Sequence, residues 1–238
     1  MILCDLPYGT TACKWDTIIP FEPLWAQYKR LIKPNGAIVL TASQPFTSAL
    51  VMSMVELFRY TWVWDKGYGT DFQLAKLRPM RYSEDICIFS KAKTANGASL
   101  NMRYYPQKTP LQKPVRNGGA PTTKLLHNNS MGKLDIVYTE KSPSNILRFK
   151  PVFNNKNNPR LHPTQKPVAL FEYLIKTYTN EGDLVLDNCI GSSTTAVAAK
   201  RTGRHFIGIE LSPEYCEIAR KRIAAVPARL DRWAEADA

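Results

Sequence analysis

The sequence predicts an α/β chain whose mostly parallel, twisted sheet is flanked by helices. Three observations lead there. Short apolar runs of strand length alternate with stretches whose apolar residues recur at helical spacing over residues 1–90, and the same alternation resumes over 161–225. Between them, residues 91–160 keep neither period and carry a marked excess of positive charge. Strands that alternate with helices pair in parallel through right-handed crossovers. A chain of 238 residues then reads as one large domain carrying an insertion. Residues 226–238, alternating charge and alanine, are expected to form a peripheral tail.

Ile2-Leu3-Cys4 is apolar and short enough for a buried strand, and it runs straight into Asp5-Leu6-Pro7-Tyr8. Phe21, Leu24, Trp25, Tyr28, Leu31 and Ile32 form a helical stripe that Lys33-Pro34-Asn35-Gly36 should end. Ala37 to Ala42 is β-branched and of strand length. Gln44 to Phe58 reads as a second helix, Tyr60 to Trp64 as a third strand and Glu84 to Ser90 as a fourth. After the insert, Pro167 starts a helix whose stripe of Val168, Leu170, Phe171, Leu174, Ile175 and Tyr178 is expected to pack in the core. Leu184 to Leu186 is a buried strand, Thr195 to Arg201 a helix, His205 to Ile209 a strand, and Pro213 to about Ala225 a last helix.

The formal net charge is +12, and its location is informative. Residues 91–160 hold 13 Lys or Arg against two acids, while the rest of the chain holds 19 basic against 18 acidic residues. A surface that contacts phosphate backbones needs such clustering, whereas solubility alone does not. Scattered Tyr104, Tyr105, Tyr138, Phe149 and Phe153 in an Asn-, Pro- and Lys-rich stretch suit an inserted module that orders in part alone and further on nucleic acid. Five cysteines (Cys4, Cys13, Cys87, Cys189, Cys216) never fall in a Cys-x-x-Cys pair, and His127, His162 and His205 are isolated. The expectation is a reducing, cytoplasmic setting without a metal. No apolar run reaches the length of a membrane span, about 18 residues, and no signal peptide is expected ahead of the first strand.

The Asp5-Leu6-Pro7-Tyr8 turn sits where a strand of an open sheet ends, the place at which α/β sheets bind ligands. It offers a carboxylate, a bend without an N–H and an aromatic face. Asp5 and the Leu6 carbonyl can accept from an NH2 group, and Tyr8 can stack on the heterocycle that bears it. The competing reading is a capped turn with Tyr8 as half-buried packing.

Leu184 to Glu210 reads as a β-loop-α-β unit. Its first strand ends in Asp187, its loop carries Asn188, Gly191, Ser192, Ser193 and Thr194, and Glu210 follows its second strand. An acid in the Glu210 position is placed to accept hydrogen bonds from ribose hydroxyls. A dinucleotide site would show three glycines; here there is one, with Asp187 at the head of the loop. A carboxylate there repels pyrophosphate and can accept from an ammonium group, which suits S-adenosylmethionine, a ribosyl ligand without phosphate.

Taken together, these segments resemble the amino-methylating DNA methyltransferases. The order of the Asp-Leu-Pro-Tyr turn, the basic insert and the cofactor loop resembles their β subgroup, and the phage- and prophage-type adenine enzymes in particular. The likeness covers residues 2–90 and 160–222 and is sharpened by His162-Pro163-Thr164-Gln165-Lys166-Pro167. It implies a Rossmann-like S-adenosylmethionine-dependent methyltransferase fold in which 1–90 is the catalytic half, 91–160 the target-recognition insert and 161–225 the cofactor-binding half. It implies N6 methylation of adenine in DNA by base flipping, with His162, Thr164 and Lys166 helping to wall the cofactor pocket. It also leaves a homodimer open.

Three departures stand out. Leu6 replaces the family's first proline, which keeps the carbonyl and loses rigidity. Gly191-Ser192-Ser193 stands for Gly-Ser-Gly, so Ser193 should avoid positive φ. The first strand begins at Met1, where the family carries a longer lead-in, so the chain looks trimmed. Exocyclic methylation of cytosine is the near alternative. A silent nucleic-acid-binding protein on this fold would be expected to lose Asp5 or Tyr8, and a nicotinamide oxidoreductase fits neither the loop nor the insert. Carbon-5 methylation lacks a cysteine beside a proline in the required context.

Overall fold

The computed structural model of the chain describes residues 1–11, 13, 16–117, 136–154 and 164–227. The chain divides into two compact units, Met1–Tyr105 with Asn145–Ala238, and Pro106–Ser144.

The larger unit is built on a seven-stranded sheet. Its elements are β1 (Ile2–Asp5), α1 (Phe21–Leu31), β2 (Ile38–Ala42), α2 (Phe46–Met52), β3 (Phe58–Thr70) and β4 (Arg81–Phe89). After the smaller unit's β5 (Thr109–Asn117) and β6 (Ile136–Lys141) come β7 (Ile146–Arg148), α3 (Val168–Tyr178), β8 (Leu184–Asp187), α4 (Thr194–Arg201), β9 (His205–Gly208) and α5 (Pro213–Ala224). The strand order is β7-β3-β4-β2-β1-β8-β9. β1 pairs in parallel with both β2 and β8, β8 with β9, and β3 with β7, so the sheet is mostly parallel.

The exception is β4, antiparallel to both β2 and β3. Only a single 3-10 turn, Phe72–Leu74, lies between β3 and β4, so the chain folds straight back as a ribbon with no crossover. Each strand of the ribbon runs further than its apolar run suggests, β3 to Thr70 and β4 back to Arg81. Their polar outer residues pair with one another down to Thr70↔Arg81, and Asp65 also pairs with Arg148 of β7. The second helix is shorter than expected. The Ser53 hydroxyl donates to the Leu50 carbonyl and accepts from Trp25 Nε1, competing with the next helical turn.

Alternation along the strands sorts the core onto two faces. Leu3, Val39, Ile86 and Ile88 face α3 and α4, meeting Leu170, Phe171, Leu174, Ile175 and Ala198. Ile2, Cys4, Ile38, Leu40 and Phe89 face α1 and α2, meeting Leu24, Trp25, Tyr28, Phe46 and Leu50. On the first face Trp62 Nε1 donates to the Tyr178 hydroxyl at 2.6 Å, so the buried indole N–H is satisfied.

The topology fixes where a ligand can sit. From β1 the chain moves outward through α1 to β2; from β8, beside β1 on its other side, it moves the opposite way through α4 to β9. The carboxyl ends of β1 and β8 therefore flank a topological switch point, where open α/β sheets bind ligands. Asp5 ends β1 and Asp187 ends β8.

Of the stretch 91–160, residues 91–105 and 145–154 belong with the larger unit. Tyr104 packs on Tyr178, Phe149 on Tyr173 and Phe153 on Tyr68, with centroids 6.3, 5.9 and 5.0 Å apart. The smaller unit contains a two-stranded antiparallel ribbon, β5 with β6, carrying Lys113, Arg116 and Lys141, with Lys108 3.5 Å from Glu140 beside it. The ribbon's register shifts between Pro110 and Val115, as expected of a strand whose prolines cannot donate. The tail expected at 226–238 lies outside the described residues from 228 onward.

Candidate active site

Parallel pairing of β1 with β2 sets Asp5 opposite Thr41. The Thr41 hydroxyl donates to Asp5 Oδ1, the Tyr8 hydroxyl donates to the same oxygen at 2.8 Å, and Lys166 Nζ lies 2.8 Å from the carboxylate. The Tyr8 ring stacks on Phe46 at 5.2 Å and 24°, with the Lys166 ammonium 5.4 Å from its centroid. Burial, then the charges of Asp5 and Glu84, push the Tyr8 hydroxyl well above its ordinary pKa, so it is a neutral donor. Behind Lys166 stands Glu84 on β4, whose Oε2 is 3.3 Å from Lys166 Nζ and whose Oε1 is 3.1 Å from Lys66 Nζ. Burial disfavours charge on Lys166, yet Asp5 and Glu84 together raise its pKa above that of an ordinary lysine.

Past Tyr8 the chain turns around Asp16. Its carboxylate accepts from the backbone N–H groups of Gly9, Thr10 and Thr11 at 2.9, 2.9 and 2.7 Å. Against partial burial, the Thr11 hydroxyl and then those backbone bonds hold Asp16 below the usual carboxylate value.

At the end of β8, Asp187 is 2 % exposed. Its Oδ1 accepts from the Cys189 N–H at 3.0 Å and its Oδ2 from the Thr195 hydroxyl. Burial raises its pKa to about 6 against the pull of those donors. The Tyr28 hydroxyl of α1 donates to Asn188 Oδ1 at 2.5 Å. Glu210 closes the loop from β9. Its Oε2 accepts from the Gly191 N–H at 2.8 Å and its Oε1 from the N–H groups of Leu211 and Ser212 at 3.0 and 2.9 Å. The loop also joins the other half of the site, since the Thr194 hydroxyl donates to the Lys166 carbonyl at 3.2 Å.

These parts line one cavity of about 900 Å³. Of the residues singled out in the sequence it brings together Asp5, Leu6, Pro7, Tyr8, Thr164, Lys166, Asp187, Asn188, Gly191, Ser192, Thr194 and Glu210. Ser193 is not on the cavity wall. It also corrects an expectation: it adopts φ +65°, ψ +36°, the left-handed conformation a Cβ was expected to forbid. Close packing forces the turn. Ser193 is fully buried, its N–H donates to the Ile190 carbonyl at 2.7 Å, and its own carbonyl accepts from Val197 N–H at 3.0 Å. His162 lies outside the described residues. Lys166 faces Asp5 on the cavity wall, a pairing across 161 positions that sequence spacing gives no sign of. Reasoning from sequence also missed Asp16, Thr195 and Tyr215. An acid a few residues beyond a Gly-Thr-Thr turn was the available signal for Asp16.

Among the described residues, the charged groups on the cavity wall are five acids, Asp5, Asp16, Asp187, Glu210 and Glu214, and one cation, Lys166. In a chain of net charge +12 this is a local reversal, and it suits a cationic ligand without phosphate. Among the described residues, no cluster of His, Cys, Asp and Glu is placed to hold a metal ion, and no helix is long and apolar enough to cross a membrane.

Comparison with known proteins identifies the family. Residues 1–221 match the model of the N6/N4 methyltransferase family, described as DNA methylase. The type II methyltransferase M.HpaI of Haemophilus parainfluenzae is 30% identical over 94% of this chain and 67% of its own length. M1.MboII of Moraxella bovis is 29% identical over 90% of this chain and 85% of its own. A shorter match, to M2.DpnII of Streptococcus pneumoniae, is 58% identical but spans 27% of this chain and 24% of that protein. Among solved structures, the M1.HpyAVI complex with S-adenosylmethionine superposes with a TM-score of 0.56 at 25% identity, over 93% of this chain and 87% of that one. The PvuII cytosine-N4-specific methyltransferase superposes with 0.62 at 18% identity, over 93% and 78%, which speaks for the fold. With its doubly wound sheet, its acid-lined pocket at the switch point and this match over nearly its whole length, the chain belongs to the N6/N4 DNA methylase family and is an S-adenosylmethionine-dependent DNA methyltransferase.

Proposed function

We propose that this methyltransferase modifies the N6 amine of adenine in DNA. The observation that carries the reading is Asp5: a carboxylate, where a serine would be a weaker acceptor, heads the Asp-Leu-Pro-Tyr turn at the mouth of the cavity. S-adenosylmethionine, when bound, supplies an electrophilic methyl on sulfur.

The residues do the rest. The amine lone pair of adenine is delocalised into the ring, so the protein must make that nitrogen a better nucleophile. Asp5 and the Leu6 carbonyl accept its two N–H groups and favour a pyramidal nitrogen with its lone pair facing the cofactor. As methyl transfer builds positive charge on nitrogen, the same fixed acceptors oppose it without reorganising. Tyr8, braced by Phe46, bounds the base slot. Asp187 and Glu210, already fixed by backbone and hydroxyl donors, present their remaining lone pairs to the ammonium and ribose of the cofactor. Thr194, bonded to the Lys166 carbonyl, keeps the two halves in register, which supports alignment of nitrogen with methyl.

The base must leave the duplex to reach the slot, and the Lys and Arg residues of 91–160 are the phosphate-contacting surface that steadies the DNA. Replacing Lys113, Arg116 and Lys141 by Gln should weaken DNA binding similarly for all sequences and flatten its salt dependence, each lost phosphate contact lowering the slope by about 0.9. Methylating DNA with the purified protein, digesting it and identifying the modified nucleoside tests the central reading. N6-methyladenine is expected; N4-methylcytosine as the product would overturn it.

A further inference from the structure

Asp5 is the acceptor in the mechanism above, yet here it already has an ammonium on it. Lys166 Nζ stands 2.8 Å from the Asp5 carboxylate, in the space an arriving amine must share. The lysine is not simply an obstacle, because a second seat lies beside it. Glu84 Oε2 is 3.3 Å from the same Nζ, and it is a buried side-chain oxygen with no hydrogen-bond partner among the described residues. Buried carboxylate oxygens are rarely left so. The neighbouring oxygen, Oε1, is held by Lys66 at 3.1 Å. The side chains of Lys166 and Lys66 are each 7 % exposed, so four charges alternate in sign through a nearly dry space: Asp5, Lys166, Glu84, Lys66.

We propose that Lys166 is a displaceable counter-ion for the Asp5 acceptor. Before the amine arrives it holds the Asp5 carboxylate in place. When the amine enters, the ammonium swings the short way to Glu84 Oε2 and frees an Asp5 oxygen for the incoming N–H. Lys166 is thus a positioning residue, and Glu84 is the seat that makes its movement cheap. No charge enters or leaves the site during the exchange. The inference rests on the proposed role of Asp5 and deepens it; it holds for any exocyclic amine.

The alternative is that Lys166 merely ties α3 to the sheet edge. The two differ in what Glu84 is worth to turnover. The titratable or charged groups facing Asp5 are Tyr8 from its own turn, Lys166 ahead of α3, Glu84 on β4 with Lys66 on β3 behind it, and Asp187 on β8. Among the described residues Lys166 is the cation nearest Asp5, and Glu84 is the acid that shares it. A lysine that only ties the segment down loses nothing in turnover when Glu84 becomes neutral, whereas a displaced one loses its second seat.

The test measures kcat and KM for a duplex oligonucleotide, with cofactor affinity and thermal melting followed alongside. Glu84→Gln should lower kcat about tenfold without weakening cofactor binding, because the displaced ammonium then meets a neutral amide, at a cost near one hydrogen bond to a charged group. Lys166→Met, which leaves Asp5 without its counter-ion, should lower kcat by about tenfold or more with cofactor affinity unchanged, and Lys166→Arg, which keeps the charge, should restore most of that loss. A folded Lys166→Met protein with wild-type kcat would overturn the proposal. So would Glu84→Gln with wild-type kcat, which also decides the matter if Lys166→Met does not fold. If the wild type methylates cytosine, the adenine reading fails and this one stands. If it methylates no amine, the reading of Asp5 itself fails.

Discussion

At the Asp5 end of the cavity a carboxylate meets an ammonium 2.8 Å away; at the Asp187 end two carboxylates rest on backbone N–H and hydroxyl donors and meet no cation among the described residues. The first end is close to neutral overall, the second carries uncompensated negative charge. A neutral heterocycle and a cationic cofactor make opposite demands, and each end of the pocket suits one of them. On the proposed reading, the contrast also lets a chain with a net charge of +12 take a cationic ligand. Its positive charge is concentrated in 91–160, while the cavity wall carries, among the described residues, five acids and one lysine.

The largest expected effects break the two ends separately. Asp5→Ala should reduce methyl transfer about a hundredfold to a thousandfold, the scale of removing a preorganised electrostatic group from a transition state, with cofactor affinity nearly unchanged. Asp187→Asn should do the reverse. Losing a charged partner of the cofactor costs roughly 1.5–3 kcal/mol, or about tenfold to a hundredfold in affinity, with a smaller loss in kcat once cofactor is saturating. Calorimetric titration with S-adenosylmethionine and single-turnover methylation, run on both variants, read the two effects independently. Equal loss of cofactor binding in both would mean that the ends are not separable.

A finer cut uses pH. Burial raises Asp187 to a pKa of about 6, so the free protein holds a proton there below that pH. A cationic ligand needs the ionised form, so cofactor affinity should fall up to about tenfold per unit as pH drops below 6. Binding near pH 6 should release protons, visible as a buffer-dependent enthalpy. Stability of the cofactor-free protein must run the other way. A carboxyl group whose folded pKa is raised contributes stability that is fully present below the ordinary carboxylate pKa and is lost as pH rises through about 6. That contribution is about 3 kcal/mol between the two limits, taking 1.36 kcal/mol per unit. Asp187→Asn should flatten both slopes. An affinity that does not change between pH 5 and 7 would show that Asp187 meets no positive charge.

How far this site could be read from sequence follows the same division. The ends of β1 and β8 were legible because each is a short apolar run closed by an acid, and the switch-point rule then makes those acids neighbours. The donors of Asp187 and Glu210 were less legible. They are backbone N–H groups and a hydroxyl, and whether a loop aims them inward depends on dihedral angles that composition does not encode. The Lys166–Asp5 pair was not legible at all, because it joins a lysine before α3 to a strand end 161 residues earlier. The sheet shows the same limit: apolar runs located β3 and β4, but their polar overhang to Thr70 and from Arg81 is held by mutual pairing and leaves no hydrophobic signal.

The smallest expected effect concerns Ser193, where the Asp187 end is held by geometry alone. A left-handed backbone costs an L-residue roughly 1–2 kcal/mol, and glycine nothing. Ser193→Gly removes that strain, gives back part of it as extra freedom in the unfolded chain, and loses only a 3.4 Å contact from the Ser193 hydroxyl to the Ala219 carbonyl. The net should be a gain in stability of up to about 1 kcal/mol, seen as a small rise in melting temperature. Cofactor affinity should stay within about twofold, because the side chain points away from the cavity and no charge is involved. Ser193→Val should move the other way by at least as much, since a β-branched residue is a genuine outlier at φ +65°. If Ser193→Gly instead tightened cofactor binding tenfold, backbone strain in the loop would be setting affinity along with the uncompensated charge, and the contrast between the two ends would have to be redrawn to include it.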